Sequence, residues 1–290
     1  MRVPGIRLIA FVCVLGLAGC ASAPVNQGPI AVRQVGNEMA LARTPMLDQT
    51  NHMAKHLDDK KNVLYFQNFG GGGATVGLLL GPLGVAANIK AIDSNTLKDV
   101  EVLRGKLESD PVGAFKSAAA AGAVVVHEQP NGTASRATPY LYVVKMQQEP
   151  DVLAIAAALI VESPQDKAGN RKNAPARAEW QYKYMYQLAG RFTPASLAAL
   201  DDSAKAQLQR ELEAGYGAIL AMMARDTAES AAKEQKVKFK SPFLVPRFDL
   251  EQIGSLIAEQ ADVVWIRNPT GVYGIRRESY QPQLQQQARR

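Results

Sequence analysis

Ten residues in the middle of the chain, Val152-Leu-Ala-Ile-Ala-Ala-Ala-Leu-Ile-Val161, contain no polar side chain and are closed by Glu162, Ser163 and Pro164. A run of this length has two readings: a strand covered on both faces, or a buried helix. It is the middle one of three β-like runs. Tyr140 to Met146 alternates apolar and polar, and Glu179 to Leu188 places Trp180, Tyr182, Tyr184, Tyr186 and Leu188 on one side. That aromatic stripe is the best strand signal in the chain and reads as core, with an exposed ligand-binding sheet face as the alternative.

Helical signals surround these runs. Residues 91–108 mix charged and apolar positions in a helical pattern, and Asp110-Pro111 supplies an N-cap and first-turn proline for a helix ending near Gly122. Val124 to Glu128 reads as a short strand, and Thr193-Pro194 opens another helix. The longest helical pattern runs from Asp201 to Glu234, with Leu208, Leu212, Gly215, Ile219 and Met222 forming one seam for packing on the sheet. From Arg225 to Lys240 the chain is strongly polar and is expected to run into solvent. Near the end, Val263 to Arg267 and Val272 to Arg276 flank Asn268-Pro-Thr-Gly271 as a hairpin, and Ile253 to Ala258 is available as a third strand.

The order of elements predicts an α+β fold, a mixed sheet packed by helices with a small β-rich C-terminal unit. The expected division is a leader over 1–19, a polar tether over 20–36, a helix plus glycine-rich apolar segment over 37–90, an α+β domain over 91–240, a β-hairpin unit over 241–280 and a loose tail over 281–290. The succession of helix, strands and long helix is loosely similar to periplasmic lipoproteins of the anticodon-binding-like fold.

The N-terminus reads as an address. Arg2 and Arg7 precede an uncharged run from Leu8 to Gly19, which matches a secretory leader and is too short for a stable transmembrane helix. The run ends in Leu17-Ala18-Gly19-Cys20, and this resembles the lipobox of the bacterial lipoprotein class. The resemblance covers residues 1 to about 25. It implies cleavage before Cys20, acylation of that cysteine and, with Ala21 rather than Asp following, attachment to the outer membrane facing the periplasm. Several acyl chains hold far more firmly than one. The other cysteine, Cys13, lies within the leader, so the processed chain would have no thiol for a disulfide, a metal or catalysis.

Charge narrows the partners. The formal net charge is +6; without Arg2 and Arg7 the balance is 31 basic against 27 acidic side chains, or +4, a mild excess that does not point to nucleic acid. Two segments stand out instead. The polar stretch 163–178, with Lys167, Arg171, Lys172 and Arg177, is a candidate partner-binding loop. Phe69 to Ile89 is free of charge, with Gly73, Gly77 and Gly81 four apart, so on a helix they would let another helix approach closely. This stretch is similar to glycine-zipper segments of small envelope lipoproteins, which makes membrane insertion and oligomerisation the alternative to packing within the protein.

Catalytic patterns are missing from the sequence. There is no Gly-x-Ser-x-Gly, and the glycines at 70–73 are not followed by Gly-Lys-Ser/Thr. His52 and His56 could share a metal on a helix spanning 37–57, but a third ligand would have to come from the distant His127, and the pair reads as solvated. Asp58-Asp59 and Asp201-Asp202 are adjacent and so point apart. The expectation is a non-enzymatic protein with no cofactor, held to a membrane through Cys20 and binding another envelope component.

Overall fold

In the computed structural model, the residues described are 38–45, 54–58, 61–67, 94–129, 134–148, 151–164, 180–226, 228–245 and 251–283. In chain order they form β1 (Glu38–Leu41), β2 (Ala54–Asp58), β3 (Val63–Gln67), α1 (94–103), α2 (Pro111–Ala121), β4 (Val125–His127) and β5 (Ser135–Gln148). There follow β6 (Asp151–Glu162), β7 (Gln181–Gln187), α3 (Pro194–Ala198), α4 (Asp202–Arg225), α5 (Ala228–Ala232), β8 (Gln235–Lys240), β9 (Gln252–Glu259), β10 (Val263–Asn268), β11 (Gly271–Arg276) and β12 (Gln281–Pro282). The class is α+β: the helices accompany a single mixed sheet of twelve strands, and strand residues predominate.

The apolar run settles as β6, a central strand. It pairs antiparallel with β5 along one edge and with β7 along the other, and every residue from Leu153 to Glu162 is buried. Alternation divides it between two cores. Leu153, Ile155, Ala157, Leu159 and Val161 join a cluster with α2, α4 and the stripe Trp180, Tyr182, Tyr184 and Leu188, while Ala154, Ala156, Ala158 and Ile160 join a second with Tyr140, Tyr142, Phe239 and Phe243. The aromatic stripe is therefore core. Each Leu, Ile or Val so buried contributes up to about 1.5–3 kcal/mol.

Helix α4 covers β6 and β7 with its predicted seam: Leu208, Leu212, Gly215, Ile219 and Met222 are all buried. Gly215 marks the closest approach, since a Cβ there would lie 2.9 Å from Leu188 and 3.0 Å from Ala157. Caps agree with the sequence. The Asp110 carboxylate accepts from Gly113 N to start α2, Thr193 and Ser196 form a capping box on α3, and Asp201 accepts from Ala204 N to start α4.

The remaining order is β12-β8-β9-β10-β11-β7-β6-β5-β1-β4, with β3 also on β5 and β2 on β3. Strand β5 is long enough to take two partners end to end on one edge: β1 pairs parallel with Ser135–Ala137 and β3 with Leu141–Lys145. At the other side β10 and β11 form the expected hairpin, with β9 as third strand. Strand β11 then pairs parallel with β7, so the C-terminal strands continue the same sheet.

Two expectations fail. Residues 37–57 contain strands β1 and β2 in place of a helix: Met39 and Ala40 are buried between β4 and β5, and sheet pairing at a buried site outweighs weak local propensity. The polar stretch 225–240 does not run out into solvent. Helix α4 ends at Arg225, and Gln235–Lys240 is a strand whose Phe239 is fully buried. Its period-two pattern lies hidden among lysines.

Candidate functional site

A concavity lies between α2 and α4. At the start of α2 the two helices are tied: Gln209 accepts from Asp110 N and donates back to Asp110 O, both at 3.0 Å. Further along, Ser117 donates to Glu213 at 2.6 Å, and Phe115 meets Tyr216 edge to face with ring centroids 5.7 Å apart. Tyr216 is anchored in turn by donating to Tyr140 O, and burial holds its phenol well above the usual tyrosine pKa. Both helices run in the same direction from these ties.

Past Ser117 the helices present small side chains, and the space between them opens as a groove of about 610 Å³. It is lined by Ala118, Ala121 and Gly122 from the end of α2, by Ala214, Gly217, Leu220 and Ala221 from α4, by Val124 just after α2, and by Glu213 at the tied end. A wall of this kind admits close approach of a helix or an apolar chain. It offers little chemistry: the lining carboxylate is already hydrogen-bonded, and the rest is alkyl and backbone.

Charged groups gather elsewhere, and three clusters are occupied with themselves. Arg267 on β10 grips two carboxylates. Its Nη2 reaches Asp226 Oδ1 at 2.5 Å and Glu234 Oε1 at 2.9 Å, its Nε reaches Glu234 as well, and Tyr184 donates to Asp226 Oδ2 at 2.5 Å. Asp226 is fully buried as the C-cap of α4. Burial alone would lower the guanidinium's pKa, but its hydrogen bonds to Glu234 and Asp226, with the charges of those carboxylates, more than reverse that and raise it. Burial, reinforced by the neighbouring Asp226 charge, also holds Tyr184 well above its ordinary value.

In the second cluster Lys145 donates to Asp99 at 2.7 Å and Asp151 at 2.8 Å, and Tyr65 donates to Asp99 at 2.5 Å. In the third, Arg136, Glu162 and Gln181 lie in register across β5, β6 and β7, with Gln181 donating to Glu162 at 2.7 Å and Arg136 Nε 3.7 Å away. Each buried carboxylate here has a cation or amide facing it, which is the condition for burying charge at all. Such clusters hold strands and helix ends together.

Of the residues singled out by sequence, Cys20, Gly73, Gly77, Gly81, Lys167, Arg171, Lys172, Arg177 and His52 lie outside the described residues. His56 is exposed on β2, and His127 on β4 sits 3.2 Å from Glu38. Among the described residues no three histidine, aspartate or glutamate side chains converge to hold a metal ion. No described helix is long and apolar enough to cross a membrane. The groove was not anticipated, although Ala118-Ala119-Ala120-Ala121-Gly122-Ala123 shows a helix end with nothing bulky to fill the space beside it. Lys145 was detectable as a charge at an inward position of an alternating strand. Comparison with known proteins found no matching family model, no matching curated protein and no matching solved structure.

Proposed function

We propose that this chain is an exported lipoprotein, tied through Cys20 to the periplasmic side of the outer membrane, that acts by binding or assembling with another envelope component. The observation that carries the reading is Leu17-Ala18-Gly19-Cys20 at the end of a leader-like run. Two features support it. No cysteine follows Cys20, so after processing its thiol has no protein partner and lipid attachment is its evident use. The α2–α4 groove offers a small-residue surface suited to a packed chain and poor in groups that could turn over a substrate.

The test is one expression experiment in a Gram-negative cell, with a photo-crosslinking residue in place of Ala221. The Cys20 chain should take up labelled palmitate, sediment with outer membranes and crosslink to a defined envelope protein, and Cys20→Ser should lose the label and the membrane association. Palmitate uptake by the serine variant, or none by either chain, refutes the anchor. Crosslinks no more specific than those from Arg210, an exposed residue of α4 outside the groove lining, refute the groove as the binding surface.

A further inference from the structure

One charged face is not used by any of the clusters above. Strand β8 reads Gln235-Lys236-Val237-Lys238-Phe239-Lys240, so the pleat sends Lys236, Lys238 and Lys240 to one side and Val237 and Phe239 to the second core. Lys238 lies in register with Ile253 and Lys236 with Ser255 on β9. Ile253 is 64% exposed, more than any other large apolar side chain among the described residues. The face is thus a short row of ammonium groups beside a bare isoleucine. Lys238 is 2.7 Å from Glu251 with both about half exposed, and Lys236 donates to Ser255 at 2.7 Å. The Lys238–Glu251 pair, open to water on both sides, is weak and exchanges readily, while Ser255 is buried beneath Lys236.

We propose that this face, Lys236, Lys238 and Lys240 beside Ile253, rests on an anionic phospholipid surface. The proposal builds on the lipid-anchored reading. Charge complementarity selects the occupant: each lysine near an anionic bilayer strengthens binding roughly fivefold, and an exposed isoleucine suits the boundary between headgroups and acyl chains. Reach allows it. Strand β8 stands seven inter-strand steps from β1, about 34 Å across the sheet at ~4.8 Å per step. The eighteen residues from Cys20 to β1 span up to about 60 Å when extended. An anchored chain can therefore lay this rim on the membrane, and the lysines choose it over other faces.

The test uses the full chain with Cys20→Ser, floated with vesicles of phosphatidylcholine alone or of phosphatidylcholine and phosphatidylglycerol in equal parts. Binding should favour the anionic vesicles and weaken with salt, and the triple change Lys236→Gln, Lys238→Gln, Lys240→Gln should remove at least roughly tenfold of that preference. Ile253→Asp, a single exposed change, should weaken anionic binding several-fold with an unaltered circular dichroism spectrum. Equal binding to both vesicles, or unchanged binding by these variants, overturns the proposal. So does lysine-dependent binding to soluble polyglutamate without binding to anionic vesicles, which would make the face a protein-docking surface. Because serine replaces Cys20 throughout, this result and the palmitate result can fail separately.

Discussion

Arg267 shows how much a single side chain can hold. Its guanidinium joins the cap of α4, the turn after α5 and the end of β10, while Tyr184 completes the coordination of Asp226 from β7. Arg267→Ala would leave Asp226 and Glu234 buried against each other with no cation, a loss of about 3–5 kcal/mol. Lys233→Ala removes an exposed pair with Glu229 and should change stability by no more than about 0.5 kcal/mol. Urea unfolding of the two variants checks this; an Arg267→Ala protein as stable as Lys233→Ala would show that the network is not structural. The sequence marks Arg267 only as a charge on the inward phase of a strand. Its partners are 41 and 33 residues away and carry no pattern of their own, so the cluster exists only once the sheet brings them together.

Elements differed in how clearly they were written. Strand β7, helices α2 and α4 and the β10–β11 hairpin were legible because each carries its own period and its own stop signals, whereas β6, apolar throughout, left strand and buried helix both open. Strands β1 and β2 have four and five residues, too few to show a period, and they are strands because β5 and β3 pair with them. The groove was illegible for a related reason: it belongs to two helices at once. Within α4 two glycines make opposite predictions. A Cβ at Gly215 would press on Leu188, Ala157 and Tyr186 at 2.9–3.3 Å, so Gly215→Ala should destabilise by about 1–3 kcal/mol despite the better helix former. Gly217 has open space around it in the groove wall, so Gly217→Ala should stabilise by up to about 1 kcal/mol. Thermal unfolding decides the pair, and stabilisation by both would mean that α4 does not press on the sheet at Gly215.

At the scale of the molecule, the sequence suggested a C-terminal β unit following an α+β body, whereas the pairing of β11 with β7 runs one sheet through both. Trp265 and Val272 lie in the same core as α2 and α4. A chain ending at Lys240 would therefore expose the edge of β7 and strip Trp265 from beside Tyr186, where the ring centroids stand 5.8 Å apart. Such a fragment should give an aggregated or loosely packed product, measured by light scattering and near-ultraviolet circular dichroism. A monomeric fragment with native-like tertiary signal would establish an independent N-terminal unit. The parallel connection could not be read from sequence because neither strand encodes which edge it will meet.

The two short strands set end to end on β5 bear on the order of events when the chain is made. Met39 meets Ser135 and Val63 meets Leu141, so β1 has no partner, and β3 none but β2, until much later residues appear. A ribosome or a translocation channel delivers the N-terminal end first. On the exported path proposed above, β1 and β3 would emerge with bare edges and wait, and the hairpin of β5 and β6 would be the surface on which they finally settle. The interval before that hairpin arrives is when this protein is most open to a chaperone.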